Sequence, residues 1–139
     1  MAKRPDYHLE DQIGFVLRRV TQRHLALFSA AIPQVTTTQW AVIARLSEIG
    51  PMSQNHLGRE AAMDAATVKG VVDRLVREGL VETAPDPDDK RRLTVALTAA
   101  GRDLFQAQLA AAAGVSEATL SPLTPQERAA FMALLARLT

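Results

Sequence analysis

The stretch Met63–Gly101, MDAATVKGVVDRLVREGLVETAPDPDDKRRLTVALTAAG, decides the fold. Val68, Val71, Val72, Leu75 and Val76 recur at spacings of three and four, the period of one helical face. Gly79 follows as the residue that ends the helix, because glycine takes the left-handed conformation at little cost. Leu80-Val81 and Leu93–Leu97 then read as two strands. Pro85 to Arg92, PDPDDKRR, is too polar and too proline-rich for either element and joins them as a loop. Helix, strand, charged loop, strand is the outline of a winged helix-turn-helix.

The rest of the chain extends that outline. Ser53 is placed to cap a short third helix running to about Ala61, and Asp64 to cap the fourth. These two helices are the halves of the helix-turn-helix. Upstream, Trp40, Val42, Ile43 and Leu46 mark a second helix, capped by Thr36 or Thr37 and stopped near Gly50-Pro51. Leu9 to about Ile32 reads as one long first helix closed by Pro33. Its apolar stripe is Leu9, Ile13, Val16, Leu17, Val20, His24, Leu27 and Phe28. Arg18 lies opposite the stripe, with Gln12, Arg19 and Arg23 along one edge.

Downstream, Thr98 opens a helix from about Ala99 to Leu120, weakened at Gly114, whose alanines 110 to 113 permit close helix approach. Thr124, Pro125 and Glu127 start the last helix, which carries Phe131, Leu134, Leu135 and Leu138 on its apolar face. A first helix this long in so small a chain must bury its stripe, and a partner subunit is a natural place. The expected fold class is mainly α with a small β-wing. Residues 1–139 form a single domain, with 36–98 as the winged lobe and 9–32 and 99–139 as dimerisation helices.

Composition sets limits on function. A chain of 139 residues, 47% hydrophobic and 22% charged, fits one ordinary domain. No apolar run reaches membrane-spanning length, and MAKRPDYHLEDQ is not a signal peptide, so a cytoplasmic protein is expected. The absence of cysteine removes disulfides, thiol nucleophiles and thiol redox sensing. No Ser-His-Asp set, carboxylate pair or phosphate loop is visible, which argues against an enzyme and against a cofactor. His8, His24 and His56 lie far apart in sequence without zinc-ligand spacing, so no metal site is expected.

Net charge is only +1, and between Lys69 and Arg92 basic and acidic residues balance, six against six. A nucleic-acid function must therefore rest on where the charges point. On a wheel at 100° per residue, the fourth helix places its valines on one side. The other side carries Ala66, Thr67, Gly70, Asp73, Arg74 and Arg77, with Lys69 at the flank. Small residues come first and arginines last, the order a helix needs to enter a major groove. Gly70 in the helix interior costs about 1 kcal/mol relative to alanine, and close approach to DNA would explain it. Ser53 and Gln54, opening the third helix, are counted with this interface. In the loop, Lys90, Arg91 and Arg92 suit a phosphate backbone and a narrow minor groove. A merely solvated polar face and a loop kept soluble by mixed charge, Asp86 and Asp88 included, are the alternatives.

The string DRLVREGLVE…DPDDKRRLTVALTAAG resembles the signature of the MarR family of bacterial transcription regulators. Asp89 and Arg91 fall on that family's Asp-x-Arg wing motif, and Leu97-Thr98 with Gly101 on its strand-to-helix exit. The order and length of the flanking helices carry the likeness over nearly the whole chain. Thr83 departs from it, standing near where relatives often place an arginine. That leaves a phosphate contact without its usual residue and leaves the fold untouched. One branch of the family senses oxidants through cysteine, and this chain stands outside that mechanism.

The resemblance implies a dimer on double-stranded operator DNA, with Arg91 in the minor groove and Asp89 orienting it. It also implies release by a small, often phenolic or aromatic acid bound between the dimer helices and the winged lobe. Arg19 matches an arginine on the first helix that some aromatic-acid-sensing relatives use, and arginine grips a carboxylate in two places. His8, Asp11 and Arg18 are nearby candidates. Trp40 either walls such a pocket or belongs to the core. The segment DYHLEDQIGFVLRRVTQRH also resembles repressors of nicotinate breakdown, whose effector is 6-hydroxynicotinate. His24 reads as a buried histidine satisfied by hydrogen bonds, with a pH or ligand role as the alternative. The expected function is a homodimeric repressor on a pseudo-palindromic operator, released by a small aromatic acid. A constitutive or architectural DNA-binding protein without effector, or an activator, is the competing reading.

Overall fold

The computed structural model describes Ala2 and residues 5–139. A 3-10 turn at Leu9–Asp11 precedes α1 (Ile13–Ala31) and α2 (Thr37–Ile49). The winged part follows as β1 (Met52–Ser53), α3 (Gln54–Glu60), α4 (Ala65–Arg77), β2 (Val81–Pro85) and β3 (Leu93–Leu97). Two helices close the chain, α5 (Ala99–Thr119) and α6 (Pro125–Ala136). This is the mainly α winged fold that the sequence leads one to expect.

Side-chain caps fix most helix starts. Thr36, Ser53, Asp64, Thr98 and Thr124 each accept a hydrogen bond from the backbone N–H three residues on. Each cap is worth about 1 kcal/mol. Thr36 and Thr124 form full capping boxes with Gln39 and Glu127. The first helix is the exception. Gln12 is extended, with φ −85° and ψ 132°, so α1 begins at Ile13 instead of continuing from Leu9. The His8 carbonyl is the cause, because it accepts from the Asp11 N–H at 3.1 Å and from Gln12 Nε2 at 3.1 Å and closes a separate turn.

The sheet is antiparallel in the order β1-β3-β2, with Met52 opposite Val95 and Val81 opposite Leu97. β2 is longer than Leu80-Val81 and runs on to Pro85, which an edge strand tolerates. Leu80 itself belongs to the helix exit. Gly79, at φ +75°, lets the Leu80 N–H reach the Leu75 carbonyl at 2.9 Å, while its own N–H reaches Val76 O at 3.0 Å.

One core joins α1 to α5 and the sheet. Val68, Val71, Val72 and Leu75 of α4 are buried in one cluster with Val42, Ile43 and Leu46 of α2, Leu57 of α3, and Val81, Val95 and Leu97 of the sheet. Phe28 and Ile32 at the end of α1, with Phe105 and Val115 of α5, complete it. Val76 is 41% exposed, because it sits a quarter turn from the centre of the buried face. α5 runs unbroken through Gly114, with Ala111, Ala112 and Val115 holding it to the core.

Two glycines are required by close approach. A Cβ on Gly101 would overlap the carbonyl oxygen of Leu80. There α5 starts directly on the helix exit: Thr98 Oγ1 donates to Gly79 O at 2.7 Å, and the Thr98 N–H to Leu80 O at 3.1 Å. A Cβ on Gly58 would press on Met63 O at 3.1 Å and on Val68 at 3.2 Å, where α3 crosses α4. Ala62, at φ +55°, makes the turn between them, and the Met63 N–H donates to Gly58 O at 2.7 Å. Among the described residues no helix is long and apolar enough to cross a membrane.

Candidate nucleic-acid interface and apolar groove

The burial of four apolar residues on α4 turns its other side to solvent. Ala66, Thr67, Lys69, Gly70, Asp73, Arg74 and Arg77 are all exposed. Lys69 Nζ donates to Asp73 at 2.8 Å along the flank. Such an exposed pair holds the two side chains weakly. Arg74 and Arg77, in the last turn, make no ion pair or side-chain hydrogen bond among the described residues. Their guanidinium groups are available to an external anion.

The loop between β2 and β3 is built by two aspartates in series. Asp86 Oδ1 accepts the N–H of Asp88 at 2.8 Å and that of Asp89 at 3.3 Å. The Asp86 N–H donates to Arg92 O, and the Arg92 N–H to Asp89 O, both at 2.9 Å. Asp89 Oδ1 then accepts the Arg91 N–H at 3.0 Å and Arg91 Nε at 3.2 Å, while Arg92 Nε lies 3.7 Å from Oδ2. Held in this way at its root, the Arg91 side chain is still 91% exposed. Lys90 is exposed beside it. Ser53, Gln54, Asn55, Arg91, Arg92 and Leu93 line a polar hollow of about 140 Å³, so the start of α3 and the wing meet. Thr83 is exposed on β2.

A larger groove of about 750 Å³ lies between α1, the end of α5 and α6. Ile13, Val16, Leu17 and Val20 on one wall and Phe131, Met132, Leu134 and Leu138 on the other are all 38–70% exposed. His24 lines it as well. Thr119 Oγ1 donates to Val115 O at 2.8 Å, so it accepts from His24 Nδ1–H at 2.9 Å. The histidine is thus half-buried and hydrogen-bonded, with Nε2 left as an acceptor. Next to it, Arg23 donates to Ala118 O at 2.9 Å and to Thr119 O, and so clasps the C-terminal end of α5.

Neither Arg19, Arg18, His8, Asp11 nor Trp40 lines this groove. Arg19 stands over the Phe15 ring, 6.0 Å from its centroid. His8 Nε2 meets Asp6 at 3.0 Å, while Arg18 and Asp11 are exposed. Trp40 is half-buried and stacks on Phe105, centroids 5.2 Å apart and planes 25° from parallel, which ties it to the core.

A model of the MarR family matches residues 35–93, the span from the start of α2 to the end of the wing loop. The repressor NicR of Pseudomonas putida is 38% identical over 134 residues, covering 95% of this chain and 85% of NicR. The chain belongs to the MarR family. A probable transcriptional regulator from Pseudomonas aeruginosa, solved by crystallography, superposes with a TM-score of 0.92 at 53% identity, covering 95% of this chain and 100% of that one. The structure of Bordetella bronchiseptica BpsR, described as explaining how 6-hydroxynicotinic acid regulates its DNA binding, gives 0.90 at 36% identity, with 95% and 96% covered. The protein is a transcriptional regulator of the MarR type, and its relatives are regulators, not enzymes.

Within the MarR wing motif, Asp89 is the residue whose chemistry the geometry changes. The Arg91 backbone N–H first, and the Arg91 guanidinium second, hold its carboxyl below the usual carboxylate range. A depressed folded value means that these bonds are complete above the ordinary aspartate pKa of about 3.9 and are lost as pH falls through the lower one. The amide resonance of Arg91 should therefore shift only under acid, below about pH 4, and Asp89→Asn should abolish that titration. An Arg91 amide resonance that does not move through the acid range would show the bond to be absent. Asp86 is the residue that sequence reasoning missed. Its offset of two and three residues from the amides it binds is the signal of a local aspartate turn.

Proposed function

We propose that the chain is a homodimeric repressor that binds a pseudo-palindromic operator and is released by a small aromatic or heteroaromatic acid. Helices in 9–32 and 99–139 join the two copies, and 36–98 forms the lobe that reads DNA. The carrying observation is Arg91, fixed at its root by Asp89, with its side chain projecting into solvent by the start of α3. On DNA the wing enters the minor groove with Arg91, Lys90 and Arg92 meet phosphates, and α4 lies in the major groove. Ser53, Gln54, Arg74 and Arg77 add contacts at the edges. Such a regulator works where the chromosome is, in the cytoplasm.

The apolar groove supports the dimer, because a second copy is the natural cover for exposed side chains of α1 and α6. The name of NicR and the subject of the BpsR structure support repression and an effector of the 6-hydroxynicotinate class. In the dimer the effector site forms where the helices of both copies meet the lobe. Arg19 binds the carboxylate there, with Arg18, His8, Asp11 and Trp40 around it.

Arg91→Ala should leave a folded dimer and weaken operator binding by about 1–3 kcal/mol. Gel shifts decide it, and unchanged affinity would take Arg91 out of the interface. Arg19→Lys keeps the charge but loses the two-pronged grip, so it should weaken binding of 6-hydroxynicotinate, and Arg19→Ala more so. Calorimetry, extended to benzoate-type acids, measures both. Wild-type effector affinity in Arg19→Ala would move the anchor to Arg18 or His8.

A further inference from the structure

We infer that the base pairs under the first two turns of α4 are A·T pairs whose thymine methyl groups pack on Ala66, Gly70 and the methyl of Thr67. This rests on the DNA-binding reading above and adds what sequence the protein reads. Hydrogen-bonding readers of base edges are arginine and lysine for guanine, asparagine and glutamine for adenine, aspartate and glutamate for cytosine. From Ala65 to Gly70, Lys69 alone is of these types; Thr67 has a hydroxyl that can serve any base and carries a methyl as well. Lys69 stands on the flank of the exposed face, beside Asp73 at 2.8 Å.

The solvent side of α4 therefore begins with the methyl of Ala66, the methyl of Thr67 at its edge and the bare backbone of Gly70. Apolar contact of this kind is how protein surfaces recognise the thymine C5-methyl group. Gly70 strengthens the case. A Cβ built on it meets nothing within 4 Å, so packing inside the chain does not require glycine there. Glycine weakens a helix interior, and the space it leaves on the outer surface is the size of a methyl group. The projecting guanidinium of the wing suits the narrow, strongly negative minor groove of A·T tracts, at base pairs other than those under α4.

Selection of duplexes from a random pool by the full-length protein, followed by thymine-to-uracil substitution one base at a time, tests this. Uracil removes the methyl group and nothing else. The expected half-site has A·T pairs facing α4, and uracil at one or two of them weakens binding about fourfold each, the worth of one buried methyl-sized group. Gly70→Ala should raise the melting temperature, weaken operator binding, and blunt the uracil effect at the same thymines. G·C pairs at these positions, or tight binding indifferent to uracil throughout, would overturn the inference and leave the DNA-binding reading standing. A pool from which no duplex is enriched would remove both.

Discussion

Gly101→Ala should destabilise the protein by about 3 kcal/mol, the upper end of the cost of overpacking. The added Cβ meets the carbonyl oxygen of Leu80, a backbone atom, not the end of a flexible side chain. Leu80 cannot move alone. Its N–H is bound to Leu75 O and its carbonyl accepts from the Thr98 N–H, so relief requires shifting the exit of α4 or the start of α5. The melting temperature should fall by about 10 °C for a chain of this length. Gly70→Ala, made in open space, should move it the other way by roughly 1 kcal/mol. Chemical denaturation of the two variants side by side checks both signs. Wild-type stability in Gly101→Ala would mean that α5 does not rest on the turn.

Leu134→Asp should give a folded monomer. Leu134 is 59% exposed in the single chain, so the aspartate has water around it and costs the fold little, on the order of 0.5 kcal/mol. Under a second copy, the same carboxylate lies unpaired in an apolar groove, and the dimer loses several kcal/mol. Operator affinity should collapse with the dimer, since each lobe then holds only one half-site. Removing residues from Thr124 onward should do the same more crudely, because it also deletes the Arg128 bonds to Leu123 O and Glu117. Sedimentation reads the outcome. A stable Leu134→Asp dimer with normal operator binding would place the interface elsewhere.

Features that depend on neighbours in sequence were legible before the structure. Ser53, Asp64, Thr98 and Thr124 cap the helices they precede, and Gly79 ends α4, because each acts through amides within a few residues. The buried face of α4 was legible through its period, except at Val76 on the rim. Features that depend on distant partners were hidden. β1 is two residues whose strand character exists only through pairing with Val95 and Thr94. Arg23 reads as a surface arginine until α5 presents its last carbonyls to it. Trp40 was left between pocket and core, and Phe105, 65 positions away, ties it to the core. The break at Gln12 is local, yet it turns on competition for the His8 carbonyl that no residue pattern announces.

In the candidate site, the wing was the clearest part, since Asp89 and Arg91 are two residues apart and their bond is local. The effector residues were the least clear. On the proposed reading the pocket is shared by two copies and has walls that one chain's sequence does not pair; within one chain Arg19 lies over Phe15 of its own helix, while Trp40 stacks on Phe105 of α5.

The most direct measurement is a titration of labelled operator with the purified protein, with and without saturating 6-hydroxynicotinate. A ligand that favours the released state must lower operator affinity by its differential binding, a coupling of about 5- to 150-fold. The account predicts two-to-one binding of subunits to operator and a loss of affinity in that range. Operator affinity unchanged by 6-hydroxynicotinate and by every benzoate-type acid would contradict it.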